Sequence, residues 1–155
     1  MNMKISIITI TYNSAKTLPN TLQSVLSQTY PYIEHIIVDG ASKDGTKELI
    51  EAYAKEVQKG KDECTREVRW VSEKDSGIYN AINKGIQMAT GDVIGFVHSD
   101  DMLFSSDSIE HIANAFSSSD VDLIYGDLQY CKGDKVVRRW KSNAYNPCAL
   151  KYGWM

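Results

Sequence analysis

The sequence predicts an α/β fold in which a mostly parallel sheet is flanked by helices. Short apolar runs rich in β-branched residues alternate along the chain with segments whose apolar residues recur at helical spacing. The first run, residues 4–10, is apolar almost throughout, which is typical of a parallel strand covered on both faces. This alternation of strands and helices implies right-handed crossover connections and a mostly parallel sheet flanked by helices.

The first half of the chain contains two strand–helix units. After the first strand, a helix is indicated by apolar residues at helical spacing, and Pro19 is tolerated there because it falls in the first turn. We expect this helix to end at Tyr30-Pro31. A second buried strand, residues 33–38, closes on Asp39-Gly40, and a polar loop leads to a second helix. The apolar residues of the two helices are Leu18, Leu22, Val25 and Leu26, then Leu49, Ile50 and Tyr53.

The second half continues the alternation after a charged surface connection over residues 58–67. A helix is predicted over residues 78–90, with Gly91 as its stop. Asp107 and Glu110 fit a capping box that starts a further helix. The predicted strands are residues 68–71, 93–97 and 123–125, followed by a hairpin of residues 128–130 and 136–139.

Size and charge limit the function classes. A chain of 155 residues with a net charge of −3 suits one domain, residues 1–155, and no Lys/Arg run suggests nucleic acid or an anionic membrane surface as a partner. No apolar stretch approaches the length of a transmembrane segment. The cysteines Cys64, Cys131 and Cys148 are odd in number and far apart, which favours reduced cytoplasmic thiols over a structural zinc site.

Four polar clusters each follow a predicted strand. Because the carboxyl ends of parallel strands share one edge of a sheet, the clusters should converge there, where α/β proteins bind ligands. They contain neither a glycine-rich dinucleotide fingerprint nor a Walker lysine loop, so NAD-dependent and P-loop chemistry are poorly supported. The clusters are Thr11-Tyr12-Asn13, Asp39-Gly40-Ala41-Ser42, Glu73-Lys74-Asp75-Ser76 and Ser99-Asp100-Asp101.

The adjacent acids Asp100 and Asp101 carry the strongest chemical signal. Carboxylates suit Mg²⁺ or Mn²⁺, and such ions are commonly held by one or two carboxylates together with substrate phosphates. Helix capping does not explain the pair, because the next helix starts several residues later, near Asp107. His98 is either a structural residue at the end of the strand or a partner of the acids. His35, inside an apolar strand, is expected to be a packed residue of the core or of the sheet surface.

The other clusters leave alternatives open. Thr11 and Asn13 are either helix-capping residues or ligand contacts. Asp39 either accepts hydrogen bonds from a nucleobase or ribose, or satisfies donors of its own loop. Asp75 is either an N-terminal helix cap or a ligand residue, and capping does not explain the polar residues that follow it or the interruption by Gly85.

Taken together, these motifs resemble family 2 glycosyltransferases with the GT-A fold, a Rossmann-like, mostly parallel sheet flanked by helices. The resemblance runs from Lys4 to about Met155 and is closest to bacterial enzymes of polysaccharide assembly. It depends on four segments in this order, residues 6–13, 38–46, 73–85 and 91–101.

The resemblance implies inverting transfer of a sugar from a nucleoside diphosphate donor, with UDP as the expected nucleotide, to a saccharide or lipid-linked acceptor. By position, Thr11, Tyr12, Asn13 and Asp39 would contact the nucleotide, and Asp75 would lie near the donor. Asp101 would bind Mg²⁺ or Mn²⁺, with Asp100 as a ribose or neighbouring contact. The implied location is cytoplasmic, with peripheral association at the inner face of the plasma membrane.

The resemblance also implies a catalytic base and an acceptor site in a C-terminal half. We expect both beyond Met155, so that the chain is a donor-binding portion that binds nucleotide and metal but transfers sugar poorly or not at all. A binding-only module is one alternative, and a sugar-nucleotide pyrophosphorylase and a non-enzymatic phosphoacceptor receiver are two others. A sugar-nucleotide pyrophosphorylase needs a Gly- and Arg-rich loop after the first strand, and a phosphoacceptor receiver needs an acidic pair there; the sequence has neither.

Overall fold

A parallel sheet organises the first part of the chain. The structure is a computed structural model that describes residues 3–59, 66–133 and 135–144. Chain contacts divide it into two units, Met1–Asn114 and Ala115–Met155. The sheet of the first unit consists of β1 (Ile5–Thr11), β2 (Ile33–Asp39), β3 (Glu67–Ser72) and β4 (Val93–Phe96). The helices are α1 (Leu18–Leu26), α2 (Thr46–Lys59), α3 (Ile78–Met88) and α4 (Ser108–Ser118).

The strand order places a ligand crevice between β1 and β4. All strands of the sheet are parallel, in the order β3-β2-β1-β4, so the chain first builds outward from β1 and then returns to its other side. This reversal is a topological switch point, where the loops after two neighbouring strands diverge and leave a cleft. The expected α/β class with a mostly parallel sheet flanked by helices is confirmed.

Both faces of the sheet are covered, which explains why β1 is apolar almost throughout. Ile5 and Ile7 pack into a core with residues of α1 and α4, whereas Ile8 packs on the opposite face against Ala81 of α3. A further core lies between α1, α2 and β2, around Ile37. Successive side chains of a strand point to opposite faces, so a strand buried on both faces cannot show apolar–polar alternation.

The end of α3 differs from the prediction. The helix ends at Met88 rather than at Thr90, with Ala89 as its extended C-cap, so Gly91 does not stop it. Instead, a Cβ on Gly91 would lie 2.7 Å from the Lys4 carbonyl oxygen and 2.7 Å from Ser6 Oγ. Gly91 is therefore required for the close approach of the chain to the start of β1.

Three other expectations need correction. The first helix ends at Leu26, before Tyr30-Pro31. Residues 123–125 form no strand. The capping box predicted from Asp107 and Glu110 does not form. The Glu110 carboxylate instead accepts a hydrogen bond from Thr29 Oγ1 at 3.1 Å, and the Ile109 amide donates to Gln28 Oε1 at 3.0 Å. A buried side chain from outside the helix thus caps α4, which local sequence rules do not anticipate.

Two buried polar residues of β2 are paired. At its start, the Glu34 carboxylate accepts hydrogen bonds from Ser6 Oγ at 2.6 Å and Thr90 N at 2.8 Å. Burial alone would raise the pKa of Glu34, but these bonds, with the Lys4 ammonium, outweigh it and lower the pKa to about 2. This network lies at the amino ends of the strands, opposite the ligand crevice.

The next residue, His35, lies in the core, which was one of the two positions expected for it. Thr9 Oγ1 donates to the Val97 carbonyl at 2.7 Å, so it accepts from His35 Nε2 at 2.9 Å, and His35 Nδ1 accepts from Tyr53 Oη at 2.9 Å. Burial lowers the pKa of His35 to about 3, and the ring is therefore neutral at pH 7.

The second unit contains the predicted hairpin. Strands β5 (Leu128–Lys132) and β6 (Lys135–Trp140) pair antiparallel, with an irregularity between Tyr130 and Cys131. Cys131 is exposed and carries a free thiol; Cys64 and Cys148 lie outside the described residues. In the part of the chain that the structure describes, no helix combines the length and apolar composition needed to cross a bilayer.

Candidate functional site

A pocket of about 570 Å³ opens at the carboxyl ends of the parallel strands. Its volume lies within the range of small-molecule sites, roughly 300–1,000 Å³. The loops after β1, β2, β3 and β4 all contribute to its wall, so the predicted convergence of the four polar clusters on one edge of the sheet is observed. The lining residues include Thr11, Tyr12, Gly40, Asp75, His98 and Asp100.

The floor of the pocket is formed by the last residue of β1. Thr11 is 2% exposed, and its hydroxyl oxygen is buried without a hydrogen-bond partner among the described residues. Its carbonyl oxygen accepts a bond from Gly40 N at 3.0 Å, which joins the ends of β1 and β2. A buried polar atom is normally paired. The Thr11 hydroxyl therefore has hydrogen-bonding capacity left for a ligand.

Asp39 lies beneath the pocket rather than in its wall. It is fully buried, and its carboxylate accepts hydrogen bonds from the Ser42 amide at 3.1 Å, from Ser42 Oγ and from Ser72 Oγ at 2.6 Å. Of the two readings left open by the sequence, these contacts match an aspartate that satisfies donors of its own loop. A carboxylate can accept about four hydrogen bonds, so the contacts leave room for a further donor.

Tyr12 and Gly40 shape the mouth of the pocket. Tyr12 is 66% exposed, and a Cβ added to Gly40 would lie 3.2 Å from its ring carbon Cδ2 and 3.5 Å from Asp75 Oδ2. Gly40 therefore lets the backbone pass between the tyrosine ring and the aspartate. The ring offers a large flat surface at the entrance.

Asn13 links two loops and is not part of the pocket lining. It has a φ of 49°, in the left-handed region that asparagine tolerates better than most residues. Its side-chain oxygen accepts from Lys43 N at 3.0 Å, and its amide donates to Ser42 Oγ at 2.7 Å. Asn13 thus braces the loop after β1 against the loop after β2, and it does not cap α1, whose N-cap is Thr17.

Asp75 lines the pocket and is held by a lysine that the sequence did not single out. Its Oδ1 accepts a hydrogen bond from Lys84 Nζ, and the same ammonium lies 2.7 Å from Glu73 Oε1. The hydrogen bonds to Asp75 and then to Glu73 raise the pKa of Lys84. Lys84 follows the lining residue Ala81 by three positions on α3, a spacing that shares one helix face and could have indicated it.

Asp100 and Asp101 follow β4 in a tight turn. The Asp101 amide donates to the His98 carbonyl at 3.0 Å, and Asp100 lines the pocket together with His98 and Ser99. Asp101 is not among the lining residues. Both aspartates are exposed, and neither carboxylate has a hydrogen bond or an ion pair within the described ranges. They are therefore free to bind a cation.

The donor set fits a cation that is shared with a ligand. No group of three or more His, Cys, Asp or Glu side chains among the described residues is arranged to hold a metal alone. Mg²⁺ and related ions typically use one or two carboxylates and complete their shell with water and substrate phosphates. The pair Asp100 and Asp101 meets that description beside a pocket of suitable size.

Curated relatives match most of this chain. A PGL/p-HBAD biosynthesis glycosyltransferase of Mycobacterium tuberculosis is 32% identical over 126 residues, which are 79% of this chain and 46% of the relative. An uncharacterized glycosyltransferase of Nostoc is 31% identical over 136 residues, 87% of this chain and 40% of the relative. The chain thus spans less than half the length of these relatives.

Solved structures share the fold. TarS 1–349 of S. aureus, solved in complex with UDP-GlcNAc, superposes with a TM-score of 0.62 at 27% identity, over 75% of this chain and 32% of TarS 1–349. A mannosyltransferase of Pyrobaculum calidifontis, solved with GDP-Man and Mn²⁺, gives 0.65 at 24% identity, over 85% and 36%. The GT-A fold expected from the sequence is confirmed by these neighbours.

The family model described as glycosyl transferase family 2 matches residues 6–154, nearly the whole chain. This match supports the glycosyltransferase family over a sugar-nucleotide pyrophosphorylase and over a phosphoacceptor receiver. The chain belongs to glycosyl transferase family 2.

Proposed function

We propose that this chain binds a nucleoside diphosphate sugar, with UDP as its nucleotide, and that the whole protein transfers the sugar to an acceptor hydroxyl with inversion. The main supporting observation is the pocket at the switch point between β1 and β4, whose lining includes Asp100 and Thr11, the latter with a hydroxyl that has no partner among the described residues. The match to TarS, solved with UDP-GlcNAc, supports the nucleotide.

The nucleoside would occupy the side of the pocket near β1 and β2. The exposed Tyr12 ring can stack on a base, since every nucleobase presents a flat π face. The Thr11 hydroxyl, which is both a donor and an acceptor, can bond a base edge or a ribose hydroxyl. Asp39 would either hold the loop after β2 in place or accept one further hydrogen bond from the nucleotide. Asn13 would keep the loops after β1 and β2 together.

The diphosphate would lie toward the end of β4. Asp101, with Asp100 beside it, would hold Mg²⁺ or Mn²⁺, which would offset the negative charge that develops on the departing nucleoside diphosphate. The free state of both carboxylates within the described residues supports this assignment. Asp75, fixed by Lys84, would face the sugar from the opposite wall.

Sugar transfer also needs a base for the acceptor hydroxyl. Among the described residues that line the pocket, Asp75 and Asp100 carry carboxylates, and both are assigned to the donor. The chain spans less than half the length of its curated relatives, so we propose that the base and the acceptor site correspond to the unmatched part of those relatives, and that the chain alone binds donor and metal with little or no turnover. We propose that the acceptor is a saccharide or a lipid-linked saccharide of a cell-surface polysaccharide, and that transfer takes place at the cytoplasmic face of the membrane.

Isothermal titration calorimetry tests donor binding directly. The 155-residue chain is titrated with UDP and with GDP, each with and without Mn²⁺, and compared with Asp101→Ala. We expect UDP to bind more tightly with Mn²⁺ than without it, and the substitution to remove most of this difference. Asp120→Ala, which removes an exposed carboxylate of the second unit, is the matched control and should behave as the parent. Absence of UDP affinity in the parent would overturn the proposal.

A further inference from the structure

Helix α1 carries a polar stripe on the side that faces the segment after β4. Thr21 and Ser24 lie one turn apart on the helix, and Gln28 follows one turn later, just past its end. Thr21 is fully buried, Gln28 is 2% exposed and Ser24 is half-buried. Burying polar side chains is costly unless their hydrogen bonds are made, so the partners of this stripe reveal its role.

The first residue of the stripe binds the turn that carries the acidic pair. Thr21 Oγ1 donates to the Asp101 carbonyl at 2.8 Å, with the His98 carbonyl 3.3 Å away. Threonine inside a helix commonly bonds a carbonyl of its own preceding turn. The Thr21 hydroxyl instead reaches across to another segment, and the two carbonyls that it contacts bracket Ser99 and Asp100.

The other two residues continue the attachment along the chain. Ser24 Oγ accepts from Leu103 N at 3.2 Å and donates to the Thr21 carbonyl at 2.8 Å. Gln28 Nε2 donates to the Ser105 carbonyl at 2.7 Å, in addition to its bond to the Ser24 carbonyl. The stripe thus binds the segment between β4 and α4 at successive points.

This segment has no regular secondary structure of its own, and the side chains of Asp100 and Asp101 make no bond within the described residues. The placement of the two carboxylates is therefore set by the backbone that carries them, and that backbone is held by the stripe. A cation that needs oxygen ligands at defined positions is sensitive to such support.

We propose that Thr21, with Ser24 and Gln28, positions the Asp100-Asp101 turn for binding a cation together with a nucleoside diphosphate. The inference rests on the proposed function and adds to it the residues on which the metal-dependent part of binding depends. Thr21 is a positioning residue, since it acts through the backbone of the turn and touches neither nucleotide nor cation.

The test compares Thr21→Val, which keeps the shape of the side chain and removes the hydroxyl, with Thr21→Ser, which keeps the hydroxyl. UDP affinity is measured by calorimetry with and without Mn²⁺. We expect Thr21→Val to reduce the gain in affinity that Mn²⁺ provides by about tenfold, the lower end of the effect of removing supporting residues at metal sites. Affinity without Mn²⁺ should stay near that of the parent, and Thr21→Ser should retain most of the gain.

Two controls separate positioning from a loss of stability. Ile50→Val, in the buried core of α2 away from the turn, removes a methyl group and should leave the Mn²⁺-dependent gain unchanged. In an Asp101→Asn background, Thr21→Val should have no further effect, because residues that act through one another are not additive. Additive losses would show that Thr21 acts elsewhere and would overturn the inference.

Hydrogen exchange distinguishes the two proposals. The Asp101 amide is bonded to the His98 carbonyl, so Thr21→Val should speed its exchange while amides of β2 stay protected. If the parent binds UDP with Mn²⁺ and Thr21→Val binds it equally well, the inference is wrong and the proposed function stands. If the parent shows no UDP affinity, the proposed function fails, and the inference fails with it even where the exchange result is as expected.

Discussion

Replacing Gly85 by alanine should disturb the packing of α3 on the sheet that supports the pocket. A Cβ at this position would lie 2.5 Å from Cγ2 of Ile8, a fully buried residue of β1. Ile8 is β-branched and has little freedom to rotate away, so either the helix or the strand must shift. Overpacking of this kind costs about 1–3 kcal/mol, and the severity of the contact places Gly85→Ala near 3. Better helix propensity returns about 1 kcal/mol, which leaves a net loss of about 2 kcal/mol.

Urea unfolding followed by circular dichroism measures this loss. Gly126→Ala is a matched control, because a Cβ there meets nothing within 4 Å and its backbone is not left-handed. In an Ile8→Ala background the clashing methyl is absent, so Gly85→Ala should become neutral or stabilising by up to about 1 kcal/mol. If Gly85→Ala is as stable as the parent, or if Ile8→Ala fails to relieve it, α3 does not approach β1 as described.

Three further predictions concern charge and close contact. The free energy of unfolding should fall as the pH drops below about 6.5, by up to about 1.4 kcal/mol per pH unit. The reason is that His35 binds a proton in the unfolded chain but not in the folded chain, where its pKa is about 3. Urea unfolding at pH 7, 6 and 5 measures this fall, and His35→Leu should remove it. Lys84→Met should lower the urea midpoint of unfolding, because it removes the cation that Asp75 and Glu73 share. The decrease should be smaller in 1 M NaCl, where salt screens these charges. An equal decrease at low and high salt would contradict this. Gly91→Ala should lower the free energy of unfolding by at least about 2 kcal/mol in the same assay. Its Cβ would meet the backbone of β1, which cannot move aside as a side chain can. Wild-type stability would show that Gly91 lies farther from β1 than described.

The order of strands and helices was predictable because it depends on the spacing of apolar residues. In β1 and in α1, the positions of the apolar residues in the sequence indicate directly which faces are buried. Helix ends were less predictable. Gly91 matched the local pattern of a helix stop, but it is required by a strand that lies 85 residues earlier in the sequence at Ser6. Rules that use only neighbouring residues in the sequence cannot predict this contact between Gly91 and β1.

The edge of the sheet that carries the pocket was also predictable, since residues that follow parallel strands must meet there. The roles of individual residues were not. Asp39 is engaged by Ser42 and Ser72, and the second partner comes from another strand. The polar stripe of α1 was missed because Thr21 and Gln28 add nothing to an apolar pattern, and their partners lie about 80 residues later in the sequence. Polar contacts over such separations become visible only in three dimensions.

A crystal structure of the chain with UDP and Mn²⁺ tests the central claim most directly. The account predicts Mn²⁺ bonded to a carboxylate oxygen of Asp101 or Asp100 and to diphosphate oxygens, with the uracil ring beside Tyr12 and a hydrogen bond to the Thr11 hydroxyl. UDP bound away from this pocket, or Mn²⁺ bound without either aspartate, would contradict it.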